Sequence, residues 1–332
     1  MTRPEEPWLA QFAFSVADLP STVAFYCDVL GFRRSNGLIG LGEGLSRIQG
    51  LPEPGAATLW WVIDRQEFVQ IEFWNYTRPR PRPRRPDWRP SDIGYTRLAL
   101  PVQDFDATMA RVRTAGLAPL GPVLRDADGG RRVAFRDYEG LVFELMERDP
   151  ATWPTHAPRW PDTATAVRAV SLSVPDLERA KRFWVEGLGA RELPGFALHT
   201  PEMEALWGLE GARREATVLR AGDGLIELCQ YSEPEPRPWR PGYVLNDLGF
   251  LNVAMGYRDR DQIEAAYRNL LEMGFEANVP LGPKGPFAST YVTDDQGFSV
   301  ELFYNEPELD CLLGFEPEKT FRDIEVPGIP WR

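Results

Sequence analysis

Residues 135–147 read FRDYEGLVFELME: a turn, Asp137-Tyr138-Glu139-Gly140, feeds an apolar strand that one carboxylate, Glu144, interrupts. The pattern returns at residues 292–304, VTDDQGFSVELFY, with Glu301 in the equivalent place. Weaker copies are EFVQIEFW around Glu72 and DGLIELCQ around Glu227. An acid inside an apolar strand is costly to bury unless something pairs with it. Four of them at matching places ask for one explanation.

Outward from these strands, the rest of the chain repeats as well. AQFAFSV (10–16) alternates with Phe12, Phe14 and Val16 on one face and Gln11, Ala13 and Ser15 on the other. Asp18 follows as an N-cap, then an amphipathic run closed by Gly31. SVADLPSTVAFYCDVLGFR (15–33) lies over SVPDLERAKRFWVEGLGAR (173–191) without a gap, and YTRLALPVQDFDATMARVRTAG (95–116) matches residues 250–274. Each unit predicts strand, capped helix and further strands, so the chain reads as a duplication of a duplication. The modules span 9–76, 91–148, 165–232 and 246–306. They group into an N-terminal domain (1–150) and a C-terminal domain (165–306), with an unrepeated extension at 307–332. TRPRPRPRRPDWRP (77–90) and EPEPRPWRP (233–241) are stiff, extended proline-arginine connections. We read the first as a linker lying on acidic protein surface rather than as a polyanion site.

Composition narrows the function classes. Hydrophobic residues at 43% and charged residues at 26% describe a globular chain with room for two cores. A net charge of −12 argues against nucleic acid or an anionic membrane as partner. Three cysteines without metal spacing fit a reducing compartment. No apolar run approaches the roughly 18–20 residues of a bilayer span, and MTRPEEPWLAQF lacks signal-peptide order. The expected setting is cytoplasmic, with a small-molecule ligand as partner and a homodimer left open. Eleven tryptophans suit an aromatic-lined cavity or interface, or simply the core.

The modules resemble the vicinal oxygen chelate superfamily of glyoxalase I, extradiol dioxygenases, methylmalonyl-CoA epimerase and the bleomycin and fosfomycin resistance proteins. The residues that carry the resemblance are Phe25, Tyr26, Asp28, Leu30, Gly31 and Phe32, together with the D-x-x-G-x-x-x-E-L ends (Asp137, Gly140, Glu144, Leu145; Asp294, Gly297, Glu301, Leu302). It covers about residues 9–305. The resemblance implies an α+β fold: four βαβββ modules paired into two half-barrels, each enclosing a cup. It also implies metal ligands at the first strand of a module and at the Glu of its last strand. Here those positions hold Gln11, Arg97, Ala169 and Asn252, then Glu72, Glu144, Glu227 and Glu301. Paired in order, the modules give one cup of Gln11, Glu72, Arg97 and Glu144 and another of Ala169, Glu227, Asn252 and Glu301. Pairing of the first module with the fourth is the alternative within the superfamily.

No histidine occupies a ligand position, which argues against a redox iron site of the extradiol kind. On in-order pairing, Glu227, Glu301 and Asn252 would hold a hard divalent ion such as Mg²⁺ or Mn²⁺ in a C-terminal cup. Arg97 would pair with Glu144, either as a structural ion pair or as the grip on a substrate carboxylate or enolate. The candidate catalytic residues are Glu227, Glu301, Glu144 and Arg97. Candidate substrate contacts are Gln11, Glu72, Asn252, Cys229, Trp60 (with Trp61 and Trp74) and His199, the last as a base on a loop. Each has a bland counterpart: core packing for the tryptophans and Cys229, and a surface position for His199. The expected activity is proton transfer next to a carbonyl in a small hydrophobic or aromatic oxygenated compound, by an isomerase, epimerase or lyase. The alternatives are a sequestering protein of the bleomycin-resistance type and, less favoured, an extradiol-type dioxygenase.

Overall fold

A computed structural model describes residues 7–318. The first module runs β1 (Trp8–Ser15), α1 (Leu19–Ala24), β2 (Arg33–Gly42), α2 (Glu43–Gln49), β3 (Gly55–Ile63) and β4 (Gln70–Arg78). The second is β5 (Gly94–Pro101), α3 (Phe105–Thr114), β6 (Leu124–Arg125), β7 (Arg131–Arg136) and β8 (Val142–Met146). The third is β9 (Ala169–Ser173), α4 (Leu177–Lys181), β10 (Arg191–Glu192), a 3-10 helix (Pro201–Trp207), β11 (Arg213–Ala221) and β12 (Gly224–Glu233). The fourth is β13 (Gly249–Tyr257), α5 (Arg260–Glu272), β14 (Glu276–Ala277), β15 (Phe287–Thr293) and β16 (Ser299–Asn305). The expected N-caps form: the carboxylates of Asp18, Asp104, Asp176 and Asp259 accept backbone N–H groups in the first turns of α1, α3, α4 and α5.

Two eight-stranded sheets result, in the orders β14-β15-β16-β13-β1-β4-β3-β2 and β10-β11-β12-β9-β5-β8-β7-β6. The first module therefore joins the fourth and the second joins the third, through the antiparallel pairs β1–β13 and β5–β9. In-order pairing is corrected, and neither half-barrel coincides with the 1–150 or 165–306 segment. The connections supply the physical reason. Both proline-arginine segments carry the chain from one sheet to the other, whereas residues 147–168 bridge two strands of the same sheet. The two crossovers lock onto each other's sheet entries, Arg82 on Asp247 at 2.5 Å and Arg237 on Asp92 at 2.6 Å. The first tract thus lies against the second rather than on a general acidic surface.

Alternation along the strands sorts core from cup. Phe12, Phe14, Ile71 and Phe73 face the helices in the main core, while Ala13, Trp61, Trp74 and Tyr76 line the concave side of the first sheet. The sheets meet where Tyr95 stacks on Phe250, ring centroids 5.1 Å apart. The described part of the extension docks on the first half-barrel. Phe315 packs between Phe68 and Phe303, and Asp310 pairs with Arg258 and Arg159.

Candidate active site

Pairing the first module with the fourth brings Gln11, Glu72, Asn252 and Glu301 into one cup. Gln11 of β1 and Glu72 of β4 come from adjacent parallel strands, and Asn252 of β13 and Glu301 of β16 come from the opposite pair. Gln11 donates from Nε2 to Glu72 at 2.7 Å and reaches Glu301 at 3.5 Å, so one amide touches both carboxylates. Its own carbonyl oxygen accepts from Gln70 at 2.8 Å. Two indoles donate to Glu72, Trp61 at 3.0 Å and Trp74 at 2.5 Å, and the Ser289 hydroxyl donates to Glu301. Both acids are buried, Glu72 4% and Glu301 6% exposed. Among the described residues neither forms an ion pair. Burial first, and then the charge of Glu301, raises Glu72 to about 8; burial raises Glu301 to about 7.

Over this cup lies α2, flanked by Gly42 and Gly50 at positive φ. Its Gln49 accepts a hydrogen bond from Tyr76 at 2.8 Å, and Leu45 packs among the cup's aromatic side chains. Gly314 of the extension closes against Trp61 and Gln70.

The other cup has the opposite electrostatics. His199 is buried between Glu144 and Glu227, its Nε2 at 2.7 Å from the first and its Nδ1 at 2.8 Å from the second. Glu227 also accepts from Arg97 (2.8 Å), Ser171 (2.7 Å) and Arg214 (3.3 Å), and Arg132 lies 3.5 Å from Glu144. Arg97 stacks on Trp207 at 3.9 Å, and Glu204 of the 3-10 helix takes Arg214, Tyr231 and Trp207. Against its burial, the two carboxylates raise the His199 imidazole above its usual value. Against theirs, His199 and the neighbouring arginines hold Glu144 and Glu227 low. This cup is filled by its own ion network.

Several expectations change accordingly. Glu227 and Glu301 occupy different cups, so Glu227 cannot share a metal with Glu301 and Asn252. The C-terminal cup proposed to hold the ion does not exist as a unit. Arg97 hydrogen-bonds Glu227 rather than Glu144 and, at 1% exposure, has no open face for a substrate. His199 is a wedge, not a mobile base or a surface residue. Cys229 is a packed thiol whose burial pushes it up to about 12, unsuited to nucleophilic attack. Trp60 turns to the core side of β3, where Trp61 and Trp74 take the cup side. Sequence reasoning missed Arg132, Arg214, Glu204, Ser289 and Tyr291. Tyr291 was within reach of it, since it is directly cross-strand from Glu301 in a hairpin.

The first cup offers two carboxylates and two amides, and hard oxygen ligands of this kind suit Mg²⁺ or Mn²⁺ only with both acids ionised and the Gln11 amide turned so that its oxygen, now on Gln70, faces the cup. Among the described residues no group of three or more His, Cys, Asp or Glu side chains is arranged to hold one; the fit depends on Gln11 and Asn252.

Modules paired across a duplicated chain, each cup drawing one carboxylate from every last strand, define a vicinal-oxygen-chelate architecture. Models of the Glyoxalase/Bleomycin resistance protein/Dioxygenase superfamily match residues 10–135 and 166–302, and the chain belongs to that superfamily. Among solved structures it is similar to a provisionally assigned dioxygenase from Bacillus subtilis (14% identity, TM-score 0.66, covering 96% of this chain and 92% of that one). It is also similar to glyoxalase I from Zea mays (17% identity, TM-score 0.62, covering 93% and 96%). At these identities the likeness shows the fold. A search of curated protein sequences finds no match. No helix of the described residues is long and apolar enough to cross a membrane.

Proposed function

We propose that the protein is a glyoxalase-type enzyme that moves a proton next to a carbonyl in a small hydrophobic or aromatic oxygenated compound. We assign the chemistry to the cup of the first and fourth modules. The carrying observation is the pair Glu72 and Glu301: two buried carboxylates, bridged by Gln11, unmatched by any cationic side chain among the described residues and raised toward neutrality. Near pH 7 such a pair shares a proton, which leaves one member as general base and the other as general acid. The indoles of Trp61 and Trp74 hold Glu72 in place while their rings, with Tyr76 and Tyr291, present an apolar wall to the substrate. A divalent ion held by Gln11, Glu72, Asn252 and Glu301 would take the place of that shared proton and would supply Lewis-acid polarisation of the carbonyl oxygen instead. Helix α2 excludes water from the cup and is the element that must move for a substrate to enter.

The low exposure of both acids favours a second reading, a protein that sequesters its ligand without turnover. One experiment separates the two. Aromatic α-hydroxyketones are incubated with the protein in D₂O, and loss of the α-proton signal is followed by NMR. Wash-out by wild type and by Glu227→Gln, but not by Glu301→Gln, supports catalysis in this cup. Saturable ligand binding without wash-out supports sequestration.

A further inference from the structure

Where the two proline-arginine crossovers lie side by side, a cavity of about 90 Å³ opens above the entries to β5 and β13. Arg84, Arg85, Trp88, Trp239, Arg240 and Tyr243 line it. It is separate from both cups, and its charge is unbalanced. The two acids on its wall are taken: Asp92 by Arg89 at 3.1 Å and Arg237 at 2.6 Å, and Asp247 by Arg82. The three lining arginines find only carbonyl oxygens among the described residues. Arg84 donates to Gly140 O at 2.8 Å, Arg85 to Pro238 O at 3.4 Å, and Arg240 to Pro83 O at 3.0 Å. Arg136 shares the Gly140 oxygen at 3.1 Å, and Trp88 lies under both guanidinium groups, 3.9 Å from Arg84 and 4.9 Å from Arg136.

Two like charges on one carbonyl and one ring, with no carboxylate between them, are costly. Asp137 acts on both arginines, but its oxygens accept from the Glu139 and Leu141 amides and from Tyr26. Burial, and then Arg136, lowers Arg84 to about 10. The Tyr243 hydroxyl is buried with no partner, its ring stacked on Trp239 at 4.6 Å. Repeat symmetry does not require the arginines: Thr293 stands where Arg136 does, and next to Gly297 the Gln296 oxygen is taken by the Trp239 indole at 2.9 Å.

We propose that this cavity is a binding site for a small aromatic carboxylate. The guanidinium fork of Arg84 and the Tyr243 hydroxyl take the carboxylate, and Trp239 and Trp88 take the ring. Guanidinium matches a planar oxyanion bidentately, and the aromatic walls favour a flat apolar body over a hydrated ion.

Calorimetric titration of the full chain with benzoate, phenylphosphate and inorganic phosphate tests this. Saturable benzoate binding is expected at millimolar concentration or below. It should weaken at least tenfold in Arg84→Gln and severalfold in Tyr243→Phe, which keeps the packing and serves if Arg84→Gln fails to fold. Glu72→Gln should leave it unchanged, which separates this site from the cup. Absence of saturable benzoate binding, equal binding by Tyr243→Phe and folded Arg84→Gln, or inorganic phosphate or phenylphosphate binding tighter than benzoate would each overturn the proposal.

Discussion

Glu144 and Glu227, from the second and third modules, hold opposite nitrogens of a single imidazole, that of His199. The two carboxylates favour the charged form of this imidazole. Removing one member of a buried ion network strands the others, typically at roughly 3–5 kcal/mol. His199→Ala is therefore expected to lose stability of about that size in denaturant unfolding, without loss of any α-proton exchange assigned to the other cup. The pH dependence has a definite sign. The raised His199 contributes stability that is complete below its unfolded value near 6.5 and is lost as pH rises through the higher folded value. Glu144 and Glu227, held low, contribute above their unfolded value near 4.5 and lose it as acid protonates the folded state. The difference between wild type and His199→Ala should be largest between about pH 4.5 and 6.5.

Glu72 and Glu301 should behave in the opposite way. Their folded values lie above the unfolded 4.5, at about 8 and about 7. The folded chain keeps protons that the unfolded chain has released, so stability falls as pH rises through that window. With chelator present, wild type is expected to lose melting temperature from pH 5 to 8 faster than Glu301→Gln. Equal slopes would mean that the pair is not protonated near neutrality.

A divalent ion should reverse that slope. Addition of Mn²⁺ at pH 8 is expected to raise the melting temperature of wild type, with proton release measurable by calorimetry in buffers of different ionisation enthalpy. Glu72→Gln should abolish the gain and Glu227→Gln should leave it intact.

The repeat, the caps and the cup-facing glutamates were legible because each is local: alternation, an Asp before a helix, a turn before a strand. Which module pairs with which was not legible, because β1 can extend its ladder beside β5 or β13 with equal local chemistry. That choice is made by the rigid crossovers, through Arg82–Asp247 and Arg237–Asp92, pairs more than 140 residues apart. His199 was illegible for the same reason; nothing near it in sequence announces Glu144. The pairing makes its own prediction. Residues 1–150 expressed alone lack β13 and β9, leaving β1 and β5 as open inner edges. Light scattering and near-UV circular dichroism are expected to find an associated or unfolded fragment, not a compact monomer.

The seal on the first cup can be tested at a single atom. Gly314 has φ +83°, and a Cβ there would sit 2.4 Å from the Trp61 ring and 2.5 Å from Gln70 Oε1. Both are held from behind, Trp61 by Glu72 and Gln70 by Gln11, so neither can yield without disturbing the carboxylate pair. Overpacking and a left-handed backbone at a residue with a side chain together cost about 1–3 kcal/mol. Gly314→Ala is thus expected to release the docked extension rather than compress the cup. Hydrogen exchange should then lose protection at the amides of Phe315 and Glu318, which bond Asp310 and Arg34. Unchanged protection there would mean that the cup gives way instead, and would show as altered pH dependence of stability in the Glu72–Glu301 window.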